Sequence, residues 1–299
     1  MARIKAGDIH LEYDSHGPED AETVLLIMGL GAQMTRWSPA FVERLTARGF
    51  RVIRFDNRDI GLSDKLDAAG PPDMAAILTA LSQGQVPPAA YSLSDMAGDA
   101  VSLLSALNIE KAHIVGASMG GMIAQLVAAD HPDRTLSLTS IMSTTGHPEL
   151  PRATPEAMAR LNTPAPDPTA DLEAYVLHSI TSAKVMGSPA HPVSEEELRE
   201  QAIFNVQRSH YPVGFQRQYA AILASPERRA KLGAVTAPTV VIHGQADPLV
   251  PVEGGRDTAA SIPGAELLEI PGMGHDVPAA LYDTIAAAVA SVAARARQA

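Results

Sequence analysis

The sequence predicts an α/β architecture: a mostly parallel, doubly wound sheet with helices on both faces, interrupted by an inserted helical segment. Three observations carry this. Short apolar runs alternate with stretches of helical spacing from Ile9 to Met142, the rhythm of repeated strand–helix crossovers. The rhythm stops near Ser143, where Pro148, Pro151, Pro155, Pro164, Pro166 and Pro168 crowd together, and returns only at Thr239. Third, Gly116-Ala117-Ser118-Met119-Gly120 stands between an apolar run and a helix-like stretch.

The elements follow in order. Ile9 to Tyr13 alternates like an edge strand, whereas Val24 to Met28 is a continuous apolar run, the pattern of a strand buried on both faces. Phe41 to Arg48 has helical spacing and Arg51 to Phe55 reads as a strand. Ser94 to Leu107 carries Met96, Val101, Leu104 and Leu107 on one helical face, with Ser94 placed to cap its start. Ala112 to Val115 predicts a strand, Met119 to Leu126 a helix, and Leu136 to Met142 the next strand. After the proline-rich stretch, Leu172 to Ile180 and Glu195 to Val206 look helical. Pro238 to Ile242, ending at His243-Gly244, and Glu266 to Ile270 then restore the strand pattern. Right-handed crossovers would complete a single sheet. The predicted organisation is a core of residues 1–143 and 233–299 with an inserted, mainly helical cap at 144–232; no internal repeat is visible.

The chemistry begins at Ser118. Roughly 0.1 chance matches to Gly-x-Ser-x-Gly are expected in a chain of this length, so the motif carries weight through its placement. Strand, Gly-x-Ser-x-Gly, helix is the setting of a nucleophile elbow, a tight turn that points the serine hydroxyl outward. A serine hydroxyl needs a base to take its proton, and the base needs an orienting acid. Asp247-Pro248 follows the strand ending at Gly244, and Pro271-Gly272-Met273-Gly274-His275 follows the last strand. Both lie past a strand's carboxyl end, on the same sheet edge as Ser118. The assignment is Ser118 as nucleophile, His275 as base and then acid, and Asp247 as orienter. Asp-Pro is also a common turn initiator, but no acid follows the preceding strand near Ser143 to compete for the role. Two backbone N–H groups should hold the developing oxyanion. Met119 supplies one, and the loop Met28-Gly29-Leu30-Gly31 the other, from Leu30 with Gly29 as the alternative.

With these residues in place, the chain resembles the α/β-hydrolase superfamily over nearly its whole length. Phe55-Asp56-Asn57-Arg58-Asp59-Ile60-Gly61-Leu62-Ser63 is similar to that family's Asp-x-Arg-Gly-x-Gly-x-Ser loop. Through Ile27-Met28-Gly29, the Asp56 loop and Ile270-Pro271-Gly272-Met273-Gly274-His275, it most resembles the esterase branch that includes aclacinomycin methylesterase. The resemblance implies an α/β-hydrolase fold whose inserted cap covers the active site and shapes its pocket. It raises bulky aglycone or polyketide methyl esters as substrates. Two departures stand out: Met28 where many relatives carry His, and Asp59 in place of the usual Gly.

Composition narrows the function further. The 299 residues are 46% hydrophobic, ample for one large core. A formal charge of −11 argues against a nucleic-acid partner, which needs clustered Lys and Arg. No cysteine is present, so thiol chemistry and Cys-based metal sites are excluded. Residues 1–8 lack a signal peptide's apolar core and Val24 to Leu30 is too short to span a bilayer, so a cytoplasmic protein with no membrane partner is expected. No cofactor or metal is expected. Met28-Gly29-Leu30-Gly31 lacks a dinucleotide fingerprint's third glycine, Gly116 to Gly120 lacks a P-loop's Lys-Ser/Thr, and the ten histidines show no close pair at ligand spacing.

Other residues take plainer readings. Asp56 holds its loop and His243 packs at a strand end. Trp37 packs behind the loop after the first buried strand. Of the methionines, Met28 and Met119 are expected in the pocket with Gly29, while Met34, Met142, Met158, Met186 and Met273 fill core. The expected function is hydrolysis of a small-molecule carboxylic ester through an acyl-enzyme. Hydrolysis of amide, lactone or carbon–carbon bonds, or perhydrolysis, is open to the same three residues. A ligand-sensing receptor is the alternative from another class. Only 4% aromatic content disfavours a sugar substrate.

Overall fold

Thr23–Ile27 (β3) is buried at every position, and its alternation sends Leu25 and Ile27 into one apolar cluster and Val24 and Leu26 into another. These clusters lie on the two faces of one sheet, which is why the run is apolar throughout rather than alternating. The computed structural model describes residues 1–298. The other strands are Ala2–Ala6 (β1), Ile9–His16 (β2), Arg51–Phe55 (β4), Ala112–Ala117 (β5), Thr135–Ile141 (β6), Thr239–Gly244 (β7) and Glu266–Ile270 (β8). The sheet order is β1-β2-β4-β3-β5-β6-β7-β8. Pairing is antiparallel for β1/β2 and β2/β4 and parallel from β4 to β8.

Helices cover both faces. Pro39–Thr46 (α1) is the first, followed by the peripheral Met74–Ser82 (α2), Leu93–Ala106 (α3) and Met119–Asp130 (α4). Between β6 and β7 lie Pro155–Asn162 (α5), Leu172–Met186 (α6), Glu195–Arg208 (α7), Pro212–Ala224 (α8) and the single turn Arg229–Leu232 (α9). Val252–Ser261 (α10) and Tyr282–Ala296 (α11) complete the chain. Residues of α3 and α4 bury against one face, residues of α1 and α11 against the other. By length and composition Ala279–Ala296 could also cross a bilayer, but its apolar stripe, Ile285, Ala286, Val289, Val292 and Ala293, is buried in the cluster it shares with α1 and the sheet.

Two sequence expectations need correction. Ile9 to Tyr13 is not an edge strand. It lies in β2, paired to both β1 and β4, and the edge is β1. Alternation marks a half-buried strand, which an antiparallel interior position satisfies as well as an edge does. Nor does Ser94 cap α3. Ser92 does, its hydroxyl accepting from the Asp95 N–H at 3.1 Å while the Asp95 carboxylate accepts from the Ser92 N–H at 2.8 Å, a reciprocal capping box.

The connectivity determines where a site can form. From β3 the chain goes to β4 on one side and β5 takes the other, so the loops after β3 and β5 leave in opposite directions. The crevice at such a switch point, outside the carboxyl ends of the strands, is where open α/β sheets bind ligands. The loops there are Met28–Gly31 and the turn at Ser118.

Candidate active site

Ser118 joins β5 directly to α4 with φ +57° and ψ −120°, a strained backbone for a residue with a side chain. The surroundings hold it there. Its N–H donates to Ile141 O at 2.9 Å, and its own carbonyl accepts from the Gly121 and Met122 N–H groups and the Ser143 hydroxyl. The flanking glycines are required by contact rather than by φ. A Cβ on Gly116 would overlap the Gly120 carbonyl, and one on Gly120 would overlap the Ile27 carbonyl of β3. Strand, helix and neighbouring strand meet at backbone distance, and the hydroxyl is left facing the crevice.

The loops after β7 and β8 bring two further side chains to it. His275 Nε2 lies 2.9 Å from Ser118 Oγ, and His275 Nδ1 lies 2.7 Å from Asp247 Oδ2. A carboxylate only accepts, so Nδ1 carries the proton and Nε2 is left to accept from the serine hydroxyl. Asp247 is fully buried at its side chain. Its two oxygens divide the work: Oδ1 accepts from the Leu249 and Val250 N–H groups at 2.9 and 2.8 Å, while Oδ2 faces His275. One Asp247 oxygen thus closes the turn at Asp247-Pro248 and the other is left to His275.

The loop after β3 stands opposite. Among the described residues no acceptor pairs with the Leu30 or Met119 N–H, and both residues line a cavity of about 370 Å³ together with Met28, Gly29, Ser118 and His275. The walls are mostly apolar, with Met122, Met142 and Trp37 from the core and Met158, Tyr219 and Leu223 from the segment between β6 and β7. Arg36 and Asp276 are the charged residues among its lining. Burial pushes the Asp276 carboxyl up, against the pull of its Ser188 hydrogen bond.

Residues 22–278 match the sequence profile of the alpha/beta hydrolase fold family. The chain belongs to this family. It is 30% identical over 294 residues to the rhodomycin D methylesterase DauP of Streptomyces sp. (strain C5), covering 91% of this chain and 90% of that one. The counterpart DnrP of Streptomyces peucetius is also 30% identical, over 292 residues, with the same coverage. Among solved structures, the meta-cleavage product hydrolase CumD from Pseudomonas fluorescens IP01 superposes with a TM-score of 0.77 at 20% identity, covering 99% of this chain and 98% of that one. The likeness to CumD is one of fold.

The two departures from the family's pattern have distinct places. Met28 lines the cavity, and its carbonyl accepts from Asn57 Nδ2 at 2.9 Å. Asp59 adopts φ +70°, the region that favours glycine, which accounts for the usual Gly there. Here the strain is accompanied by a bidentate ion pair, Asp59 to Arg217 of α8 at 2.7 and 2.8 Å, with both side chains buried. Asp56 holds its loop as expected, accepting from the Met34 and Leu62 N–H groups and pairing with Arg208 at 2.7 Å. Trp37 is buried and stacks on Phe41 with ring centroids 5.4 Å apart, yet it also faces the cavity.

Sequence reasoning missed several lining residues. Met142 is buried in the core as expected but also lines the cavity; Met158 was expected in the core, and Met122, Tyr219, Leu223 and Asp276 carried no assignment. Only Asp276 had a usable signal, a carboxylate next to the predicted base. The others are apolar residues whose spacing cannot distinguish a core from a cavity wall.

His243 packs at the end of β7, fully buried, with Nε2 2.8 Å from Val250 O. Burial pushes its imidazole below the ordinary value of 6.5, outweighing the Val250 carbonyl and the Asp247 carboxylate. On acidification the unfolded chain takes up this proton first. The contribution to stability is thus complete above 6.5 and is lost progressively as pH falls toward the lowered folded value. His113, also lowered by burial, acts in the same direction. Tm is expected to fall between about pH 7.5 and pH 5, and His243→Asn to reduce that slope when melting is followed across the range. An unchanged slope in the variant would show that His243 contributes nothing to it.

Proposed function

We propose that this chain hydrolyses carboxylic esters through a covalent acyl-serine. The observation that carries the reading is the hydrogen-bonded series Ser118–His275–Asp247 opening onto an apolar cavity beside the Leu30 and Met119 N–H groups, which pair with no acceptor among the described residues. The methylesterase relatives support the same bond class. In this reading Ser118 Oγ attacks the ester carbonyl as His275 Nε2 takes its proton. The imidazolium that forms is held by Asp247 Oδ2, and the Leu30 and Met119 N–H groups receive the negative charge on the carbonyl oxygen. The tetrahedral intermediate collapses, and the alcohol leaves with the proton returned by His275. Water then repeats the sequence on the acyl-serine, freeing the acid and restoring the hydroxyl.

We read residues 144–232 as a cap over this site. Val176, Ile180, Leu198 and Ala202 of α6 and α7 form a small cluster separate from those of the sheet, and side chains of α5 and α8 line the cavity. Ala221 of α8 and Leu232 of α9 instead join the cluster on one sheet face, so the last part of the segment is docked on the core.

A cavity of about 370 Å³ is at the small end of the roughly 300–1,000 Å³ typical of ligand sites. Steady-state assays with p-nitrophenyl esters from acetate to decanoate are expected to show multiple turnovers, an optimum at short to medium acyl chains and a fall toward decanoate. Folded protein that neither turns over any of these esters nor is labelled by an alkyl fluorophosphonate would overturn the reading.

A further inference from the structure

We infer that Gln218 of α8 is a positioning residue for the oxyanion loop, so that the inserted segment helps to assemble the catalytic geometry as well as covering it. This rests on the esterase reading above and extends it to a residue that never touches substrate. Gln218 is fully buried and does not line the cavity. Its Oε1 accepts from the Gly31 N–H at 2.9 Å, and its Nε2 donates to Arg58 O at 2.9 Å. One side chain thus ties two core loops, those after β3 and β4, to α8.

The place of the first bond matters. Gly29 O accepts from the Ala32 N–H at 3.3 Å, closing a four-residue turn around Leu30 and Gly31. Gly31, at φ +68°, holds the third position, the one a type II turn reserves for glycine. The Leu30–Gly31 peptide can face either way in such a turn, and Gln218 holds its N–H in one orientation. On the other side, Asn57 Nδ2 holds the Met28 carbonyl at 2.9 Å. Leu30, the proposed donor, lies between these two anchors, one from the core and one from the inserted segment.

The rest of α8 is arranged to keep Gln218 in register. Arg217 forms the buried pair with Asp59. Gly214 lies so close to the Asp59 carbonyl that a Cβ would overlap it, and the Phe215 ring fills the space a Cβ on Gly31 would need. A buried amide making both of its hydrogen bonds between elements is a rigid device, and an oxyanion hole needs rigidity because its donors act only if already aimed when charge develops.

The test is Gln218→Met, which preserves length and burial and removes both bonds. Deleting an oxyanion donor outright costs about 10²–10³ in kcat; loosening one is expected to cost about 10- to 100-fold. KM for the same p-nitrophenyl ester should stay within about threefold, because ground-state binding does not use the oxyanion donors. An alkylboronic acid, whose tetrahedral adduct with Ser118 places an oxygen where the oxyanion forms, should lose affinity by the same factor as kcat. A merely structural role would lower Tm and leave kcat and boronate affinity intact at temperatures well below melting, and that result overturns the inference. A loss confined to KM also overturns it. Gln218→Asn, too short to span both partners, is judged by the same criteria if the Met variant does not fold. Wild type that turns over esters beside a fully active Gln218→Met refutes this inference alone; wild type without turnover refutes the reading beneath it.

Discussion

Ser118→Ala is expected to reduce ester turnover by more than about a thousandfold, because removing the nucleophile leaves only binding and the oxyanion donors. The fold should survive the change. Ser118 is held at φ +57° by backbone bonds to Ile141, Gly121 and Met122, none of which involves its hydroxyl. Alanine meets the same backbone strain as serine, so the variant should melt close to wild type. It should also bind a non-hydrolysed ester analogue with little loss, since the cavity walls are untouched. Residual activity above about a thousandth of wild type would remove Ser118 from the nucleophile's role. Tight retention of ester without turnover in the wild type would instead favour a sensing function.

Arg217→Met is expected to be strongly destabilising. The Arg217 side chain is 1% exposed and that of Asp59 0%. Besides the bidentate pair, Arg217 donates to Gly70 O and Tyr211 Oη, each at 2.8 Å. Burial by itself would push the Asp59 carboxyl up, but the Arg217 hydrogen bonds, helped by the Leu66 N–H, hold it below the ordinary carboxylate range. Removing the guanidinium leaves that carboxylate buried without its ion-pair partner, with only the more distant Lys65 charge acting on it, a loss of about 3–5 kcal/mol. The lower end applies here because the Leu66 N–H remains as a donor at 2.8 Å. With an unfolding entropy of roughly 2 cal/mol/K per residue, about 3 kcal/mol is a fall of about 5 °C in Tm. Asp59→Asn in the Arg217→Met background should restore much of the loss by removing the stranded charge. A melting temperature within about 1 °C of wild type in the single variant would show that the pair contributes little to stability.

The contrast between these two residues shows what was readable. The turn at Ser118 was legible because it comes with local punctuation: an apolar strand, two glycines at contact distance and a helix, all within a few positions. The loop positions of Asp247 and His275 were legible for a related reason. Each follows a recognisable strand, and parallel strands deliver their carboxyl ends to one edge of the sheet whatever lies between. The both-face burial of β3 was likewise written into its unbroken apolar run. The N-cap of α3 was misplaced by two residues because Ser92 and Ser94 are the same residue type. Only the reciprocal bond from Asp95 selects between them.

Arg217 and Gln218 carried no such signal. On a helix of mixed composition, a buried Arg and a buried Gln look like the polar residues of a solvated face. Their partners, Asp59 and Gly31, are 158 and 187 positions away. The same holds for β1 and for the cavity walls contributed by α5 and α8. The amino-acid sequence by itself determined the strand rhythm, the elbow at Ser118 and the loop positions of Asp247 and His275, because those depend on steric and hydrogen-bonding rules within a few residues. The tertiary structure alone decided which polar residues are buried, what they hold and how the cavity is walled. Those depend on which distant surfaces meet, and burial turns a polar side chain from a solvated group into one that must find its partner.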